Sequence, residues 1–414
     1  MIPKQEILTI AATTGLPPQT VEKDYVLSWV LYGVSKNSQL AHWIFKGGTC
    51  LKKCYFDTYR FSEDLDFTVP KGALYQQDGI EMALKEIATI VYEETGIRIV
   101  LEDVKESVNK RDAKTFEAKV SYVGPLNYDR ARSNPRIKFD ITDDEVLAEE
   151  PDRREVFHPY SDAPDPRIRV LCYSIHEILA EKTRAMFERA GRARDLYDVI
   201  QMTRNFREHI QVEKARTCLK KKFSFKSLPE PSVQLLMESI DIAILKANWE
   251  NQLNHQLSQL VPVEHYYNAL PIELAWWINV TSSVESLPAI SNATNESILP
   301  REYFPAIGEV PVPNLGRGRI ANIHSISINS AGHLYQLRYA ARNRLCVLLQ
   351  YDGVTRIVEP YSLRRPSTGN VLLYVYELLR AGTLSQQIKA FKVHEITSIE
   401  ITKDIFNPRY VIEL

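Results

Sequence analysis

Residues 42–69 read HWIFKGGTCLKKCYFDTYRFSEDLDFTV, and the rest of the chain has to be built around them. Trp43-Ile44-Phe45 is a short apolar run expected as a strand. Gly47-Gly48 interrupts it, Thr49 is expected to open a helix of about two turns, and β character resumes from Leu65 to Val69. Two adjacent glycines let backbone N–H groups approach an anion at a helix start. The side-chain period of a strand is two, so Asp64 and Asp66 share a face while Leu65 points away. Paired carboxylates can hold Mg2+, and a phosphate cradle ahead of a D-x-D strand suits a metal-bound nucleoside triphosphate brought to an acceptor.

At 414 residues the chain exceeds one typical core, so two or three domains are expected. The net charge of −1 leaves no global basic field, so a nucleic-acid partner has to be held by local patches. Cysteines at 50, 54, 172, 218 and 346 form an odd, scattered set, read as reduced thiols in the cytoplasm rather than a disulfide framework. Cys50 and Cys54 lie one helical turn apart, but no second Cys/His pair follows at zinc spacing, which argues against a metal there. No run is long enough to span a membrane, and the start, MIPKQEI, lacks a signal-peptide apolar region.

Residues 4–34 read as two helices broken near Thr14-Gly15, with Pro17-Pro18 opening the second. The segment also mimics a helix-turn-helix. Glu22 and Asp24 beside a single lysine make a poor phosphate surface, so a brace against the sheet is expected instead. A helix over 74–94 and strands over 97–101, 116–123 and 137–141 follow, the last placing Asp140 on one face with Lys138 and Thr142. Residues 149–166, rich in Pro, Asp and Arg, are expected as a surface loop. Helix 174–189 carries Lys182 inside its apolar stripe, where a cation needs either a carboxylate partner or a bound triphosphate. Gly191 stops that helix, and Arg194-Asp195-Leu196-Tyr197-Asp198 begins another, with both acids facing one way. Helices over 233–247 and 272–280 precede a stretch rich in Ser, Asn, Pro and Gly at 281–318, expected as a linker.

Taken in order, Val21-Glu22-Lys23-Asp24-Tyr25, Lys46-Gly47-Gly48-Thr49, Arg60-Phe61-Ser62-Glu63-Asp64-Leu65-Asp66-Phe67, Glu181-Lys182 and the Arg194–Asp198 segment resemble a known family. It is the AbiEii/AbiGii toxin family of the polymerase-beta-like nucleotidyltransferase superfamily, and the resemblance runs over roughly residues 15–260. It implies an α+β fold, a mixed sheet with a helical half over residues 1–280. It also implies a toxin, in a toxin–antitoxin or phage-defence system, that moves a nucleotide from an NTP to RNA, a tRNA 3′ end, with a separately encoded antitoxin as partner. Transfer to a protein side chain, or nucleotide sensing without turnover, are the alternatives. In that frame Asp64, Asp66 and Asp140 hold Mg2+, two ions being expected. Lys46, Gly47, Gly48, Thr49, Ser62, Lys182 and Asp198 meet the NTP phosphates. Asp64, Asp66, Asp140, Lys182 and Asp195 form the catalytic set, with Asp198 second to Asp195.

Residues 319–414 read as short strands over 345–350, 356–359, 371–376, 390–393 and 396–401, with Tyr351-Asp352-Gly353 turning between the first two. Val358-Glu359-Pro360-Tyr361-Ser362-Leu363, Phe391 with Ile396, and Phe406-Asn407-Pro408-Arg409 resemble a WYL domain, which implies a small Sm-like β-barrel. Val371-Leu372-Leu373 replaces the triplet that names such domains. Arg342, Arg356, Arg364 and Arg365 with Tyr351 and Tyr361 suit phosphate contact and base stacking, whereas the alternative is ordinary surface arginines and core tyrosines.

Overall fold

Two short strands, β1 (Ile44–Lys46) and β2 (Asp64–Thr68), pair antiparallel with Phe45 opposite Phe67 and Lys46 opposite Asp66. The computed structural model describes residues 1–56, 60–109, 111–126, 134–190, 192–279, 290, 328–364 and 370–414. Contacts divide the chain into two units, 1–282 and 283–414.

In the first unit, β3 (Arg98–Val108), β4 (Lys114–Val123), β5 (Arg136–Thr142), β6 (Asp152–Glu155) and β7 (Arg169–Cys172) complete a mixed seven-stranded sheet. Its order is β3-β4-β5-β2-β1-β7-β6, with β2 parallel to β5 and β1 parallel to β7. Strand alternation gives the sheet two unlike faces. One is aromatic: the Phe67 ring lies 5.4 Å from Phe45, 5.7 Å from Trp43 and 6.3 Å from Phe139. Each such buried ring contributes on the order of 1.5–3 kcal/mol through burial. The other face carries Lys46, Asp64, Asp66, Lys138, Asp140 and Glu117 in adjacent register positions.

Helices α1 (Lys4–Thr14) and α2 (Pro18–Lys36) pack together, and α2 packs on α4 (Gln77–Thr95), which in turn lies on β3. Glu22 and Asp24 of α2 are buried rather than displayed. Asp24 accepts hydrogen bonds from Lys53 at 2.6 Å and Tyr160 at 2.8 Å, and Glu22 accepts one from the Leu126 N–H at 2.7 Å. A helix committed in this way is a brace, and it offers no face for reading DNA.

The glycine turn departs from the expected two-turn helix. A single turn α3 (Gly47–Cys50) starts earlier, and a π-helical turn, Leu51–Tyr55, follows it. The helical half comprises α5 (Ile175–Glu188), α6 (Ala193–Asn205), α7 (Val212–Phe225), α8 (Val233–Glu238), α9 (Ile242–Leu253) and α10 (Val263–Ile278). Ser174 caps α5 by accepting the Glu177 N–H at 3.1 Å. Three expectations are corrected here. The segment 149–166 is not all loop, because β6 lies within it and pairs with β7. The helix over 233–247 is two helices, since Asp241 accepts the N–H groups of Ala243 and Ile244 and so starts α9 afresh. The helix placed at 272–280 begins at Val263, with Pro271 accommodated in its interior. Neither β7 nor α7 was expected from the sequence.

In the second unit, α11 (Ile328–Arg342) packs on β8 (Leu345–Tyr351), β9 (Val354–Arg364) and β12 (Ile396–Ile405), with β10 (Leu372–Arg380) and β11 (Thr383–Lys392) completing an antiparallel sheet. Its order is β11-β10-β9-β8-β12. Among the described residues no pairing of β11 with β12 closes it into a barrel. The strands expected at 356–359 and 390–393 are both longer than read, and α11 is additional. The expected linker 281–318 lies outside the described residues except for Ile290, which packs with Cys346, Tyr361 and Phe406. Among the described residues, no helix is long and apolar enough to cross a membrane.

Candidate active site

The register of β2 between β1 and β5 sets the site. Asp64 lies opposite Lys138 and Asp66 opposite Asp140, so the three carboxylates stand on one face of two neighbouring parallel strands. Lys138 sits between acids, 2.9 Å from Asp140 and 2.9 Å from Glu117. All three are partly buried, and 44% of the Asp140 side chain is exposed. Burial first, and then the charge of Asp140, push the Asp66 carboxyl up to about 6, against the pull of Lys46 and Lys182. Burial raises Asp64 as well, and Asp140 adds to it while Lys23 and Lys138 oppose it. The face is therefore short of positive charge. Three hard oxygen donors fit a divalent ion such as Mg2+ in chemistry. Among the described residues they share this face without being contracted into a single chelating cluster.

The glycine turn presses on these acids. Gly47 has φ +78°, and a Cβ there would collide with Oδ2 of Asp66. A Cβ on Gly48 would lie 2.6 Å from Nη2 of Arg60 and 3.1 Å from Oγ of Ser62. Only glycine allows both approaches. The fully buried Thr49 donates its hydroxyl to the carbonyl of Asp64, tying the turn to β2. That assigns the side chain to holding the turn, and leaves only its backbone for an anion.

Each cation expected to meet phosphate has a protein partner. Lys46 Nζ lies 2.9 Å from Glu181 and 5.6 Å from the Tyr173 ring centre. Burial works against its charge, but Glu181, Tyr173 and Glu145 raise its affinity for the proton. Lys182 lies 2.8 Å from Asp198 and 3.4 Å from Asp195. Of the two partners open to Lys182, the structure supplies the carboxylates. Asp198 is also gripped by Arg60, with Nε to Oδ1 at 2.7 Å and Nη2 to Oδ2 at 2.8 Å. Burial alone would raise the Asp198 carboxyl, but Arg60 and Lys182 hold it well below the usual carboxylate range. Asp195 is buried, its Oδ2 has no hydrogen-bond partner, and the nearest cation to that oxygen is Arg189 at 3.6 Å.

Sequence reasoning gave no role to Arg60, Glu181, Glu145 or Lys222. Arg60 ties the segment before β2 to α6 through Asp198, and it also donates to Gln256 at 2.9 Å. Lys222, wholly buried on α7, lies 2.8 Å from Glu177 and 3.4 Å from Glu145. Glu145 in turn holds Arg184 at 2.7 Å, so a buried charge network underlies the Lys46–Glu181 pair. The residues around Glu181 and Arg60 were already visible as motif, but their long-range partners were not.

The arginines expected to face RNA are a correction. Arg342, Arg356 and Arg364 are buried. Arg356 pairs with Glu377 at 2.5 Å, Arg364 with Glu413 at 2.7 Å, and Arg342 donates to the carbonyl of Leu414 at 3.1 Å. Tyr351 bonds Glu395, and Tyr361 is buried with its hydroxyl on Glu359 at 2.7 Å. These side chains hold the second unit together. Arg365 lies outside the described residues.

The family described as "Nucleotidyl transferase AbiEii toxin, Type IV TA system" matches residues 29–274. No curated protein matches the sequence. Among solved structures, the chain is similar to MenT4, nucleotidyltransferase toxin Rv2826c from Mycobacterium tuberculosis H37Rv. The two are 16% identical with a TM-score of 0.42, over 68% of this chain and 91% of that one.

Proposed function

The chain belongs to the AbiEii family of nucleotidyltransferase toxins of type IV toxin–antitoxin systems, and from that we propose that it transfers a nucleotide from a metal-bound NTP to a hydroxyl of RNA, a tRNA 3′ end. The observation that carries this reading is the register of Asp66 against Asp140 beside the Gly47-Gly48 turn. Asp64, Asp66 and Asp140 are the residues that would hold Mg2+, as two ions, and bound metal would neutralise phosphate charge and polarise the reacting phosphorus.

The chain's own groups do the rest. Asp140 orients the attacking hydroxyl and accepts its proton. Gly47 and Gly48 let the turn lie close against Asp66, Arg60 and Ser62, and their backbone N–H groups meet the phosphates. Lys46 and Lys182 counter the charge that builds on departing pyrophosphate, and to do so Lys46 loosens from Glu181 and Lys182 from Asp198. Asp195 then keeps Lys182 aimed, with Asp198 fixed by Arg60. The second unit, read as a WYL-like module, senses a ligand or docks the antitoxin rather than gripping RNA through its buried arginines.

The test is incubation with each labelled NTP, Mg2+ and total RNA. Label in the tRNA fraction, lost in Asp66→Asn, supports the reading. Label in protein replaces RNA by a side-chain acceptor, and bound nucleotide without transfer supports a sensor.

A further inference from the structure

The tightest group of metal-binding side chains among the described residues lies behind the carboxylate face and is made of thiols. Cys50 of α3, Cys54 of the π-helical turn and Cys172 at the end of β7 bring their Sγ atoms within 4.8 Å of one another. All three are buried. The first two come from consecutive helical turns, and the third is delivered by the parallel pairing of Phe45 with Cys172. This tertiary contact supplies the partner that linear spacing did not show. Cys218 and Cys346 are buried too, yet they stand outside the group, so burial alone does not gather cysteines here.

A single buried thiol behaves as a small apolar group, which accounts for each residue separately. It does not account for three soft donors converging at separations one ion can bridge. Metal–sulfur bonds of about 2.3 Å place sulfurs about 4 Å apart around a trigonal ion, so the thiols need to close only slightly. A buried cation stands beside them: Arg154 donates its Nε–H to the Cys54 carbonyl at 3.0 Å and stacks on Tyr55 at 4.0 Å. The Tyr55 hydroxyl is 4.0 Å from Cys172 Sγ but donates to the Tyr173 carbonyl at 2.6 Å. No fourth Cys, His, Asp or Glu joins the group among the described residues. Zinc almost always takes four ligands in structural sites, whereas an all-thiolate, three-donor set suits the softer Cu(I).

We propose that Cys50, Cys54 and Cys172 form a three-thiolate site for Cu(I) that ties the glycine turn to β7. Loading forms three S–Cu bonds and releases three thiol protons to solvent, with no electron transferred. The site is independent of the nucleotide reading.

The test is anaerobic titration of the reduced full chain with Cu(I) against a chromophoric Cu(I) chelator. One equivalent should be retained, with thiolate-to-copper absorption in the near ultraviolet, three sulfur neighbours by X-ray absorption and a thermal midpoint raised by several degrees. Cys172→Ala should weaken binding at least tenfold, and Cys346→Ala should leave it unchanged. Should Cys172→Ala not fold, X-ray absorption of the loaded wild type decides alone. Sub-stoichiometric binding, affinity indifferent to Cys172, fewer than three sulfurs, or Zn(II) displacing Cu(I) mole for mole would each overturn the proposal.

Discussion

Arg60 holds Asp198 through two parallel N–H···O bonds of 2.7 and 2.8 Å, with the Arg60 side chain 2% and the Asp198 side chain 0% exposed. The fork geometry joins the segment leading into β2 to helix α6. Removing one member of a buried pair leaves the other charge stranded, at a cost of about 3–5 kcal/mol. Arg60→Ala should therefore lower stability by that order in urea unfolding. Arg60→Lys should recover little, because an ammonium cannot make the paired contact.

Asp66 gives a pH signature. Its folded pKa, up to about 6, lies above the ordinary carboxylate value, so the group favours the fold when protonated and that contribution is lost as pH rises through about 6. In metal-free protein, Asp66→Asn should raise stability by roughly 1–3 kcal/mol at pH 7.5 and change little at pH 3.5. Mg2+ affinity, measured by calorimetry, should weaken as pH falls through 6. Transfer should drop at least about a hundredfold in Asp64→Asn or Asp66→Asn.

Lys182 is paired in the free protein, and this changes what its removal does. Lys182→Met leaves Asp198 with Arg60 but strands Asp195 beside Arg189 at 3.6 Å. We expect apo stability to fall by roughly 1–3 kcal/mol, together with weaker NTP binding and slower turnover. Unchanged nucleotide affinity in equilibrium binding would reduce Lys182 to a structural role.

Gly47→Ala should abolish transfer while the chain still folds, because a side chain there needs the space of Asp66 Oδ2 and a positive φ. The readout is Mg2+ binding, which should fall with activity, against circular dichroism, which should not move.

In the second unit, Arg356→Ala should cost about 3–5 kcal/mol by leaving the buried Glu377 unpaired, and Arg364→Ala should cost less, because Glu413 is 23% exposed. RNA affinity and its salt slope should stay as in the wild type. A slope reduced by one phosphate contact per variant would return these side chains to the RNA surface.

The alternation in Asp64-Leu65-Asp66 and in Lys138-Phe139-Asp140 was enough to place three acids on one face, because a strand's period is fixed locally. Partners were harder to read. Arg60 and Asp198 are 138 positions apart, and nothing local distinguishes that arginine from its neighbours. Lys222 closes a run of three lysines, a composition that reads as solvated surface until α7 turns one of them inward. The arginine-and-tyrosine pattern near the C-terminal end failed for a related reason: composition names the cations but not their partners, Glu377 on β10 for Arg356 and Glu413 in the segment after β12 for Arg364. Cys172 joined the thiol group only through β7, a four-residue strand without a strong pattern of its own.

The wedging of β2 between an antiparallel and a parallel neighbour has a consequence for how this chain can vary. Inserting one residue between Asp64 and Leu65 would put the two acids on opposite faces of the sheet, turning Asp64 toward the Phe45–Phe67–Phe139 stack. The aromatic core would reject such a chain outright, so the ruler that spaces the acids is also a proofreader. Drift in the reacting groups can proceed by substitution, while any change of length in this strand is lethal to the fold first.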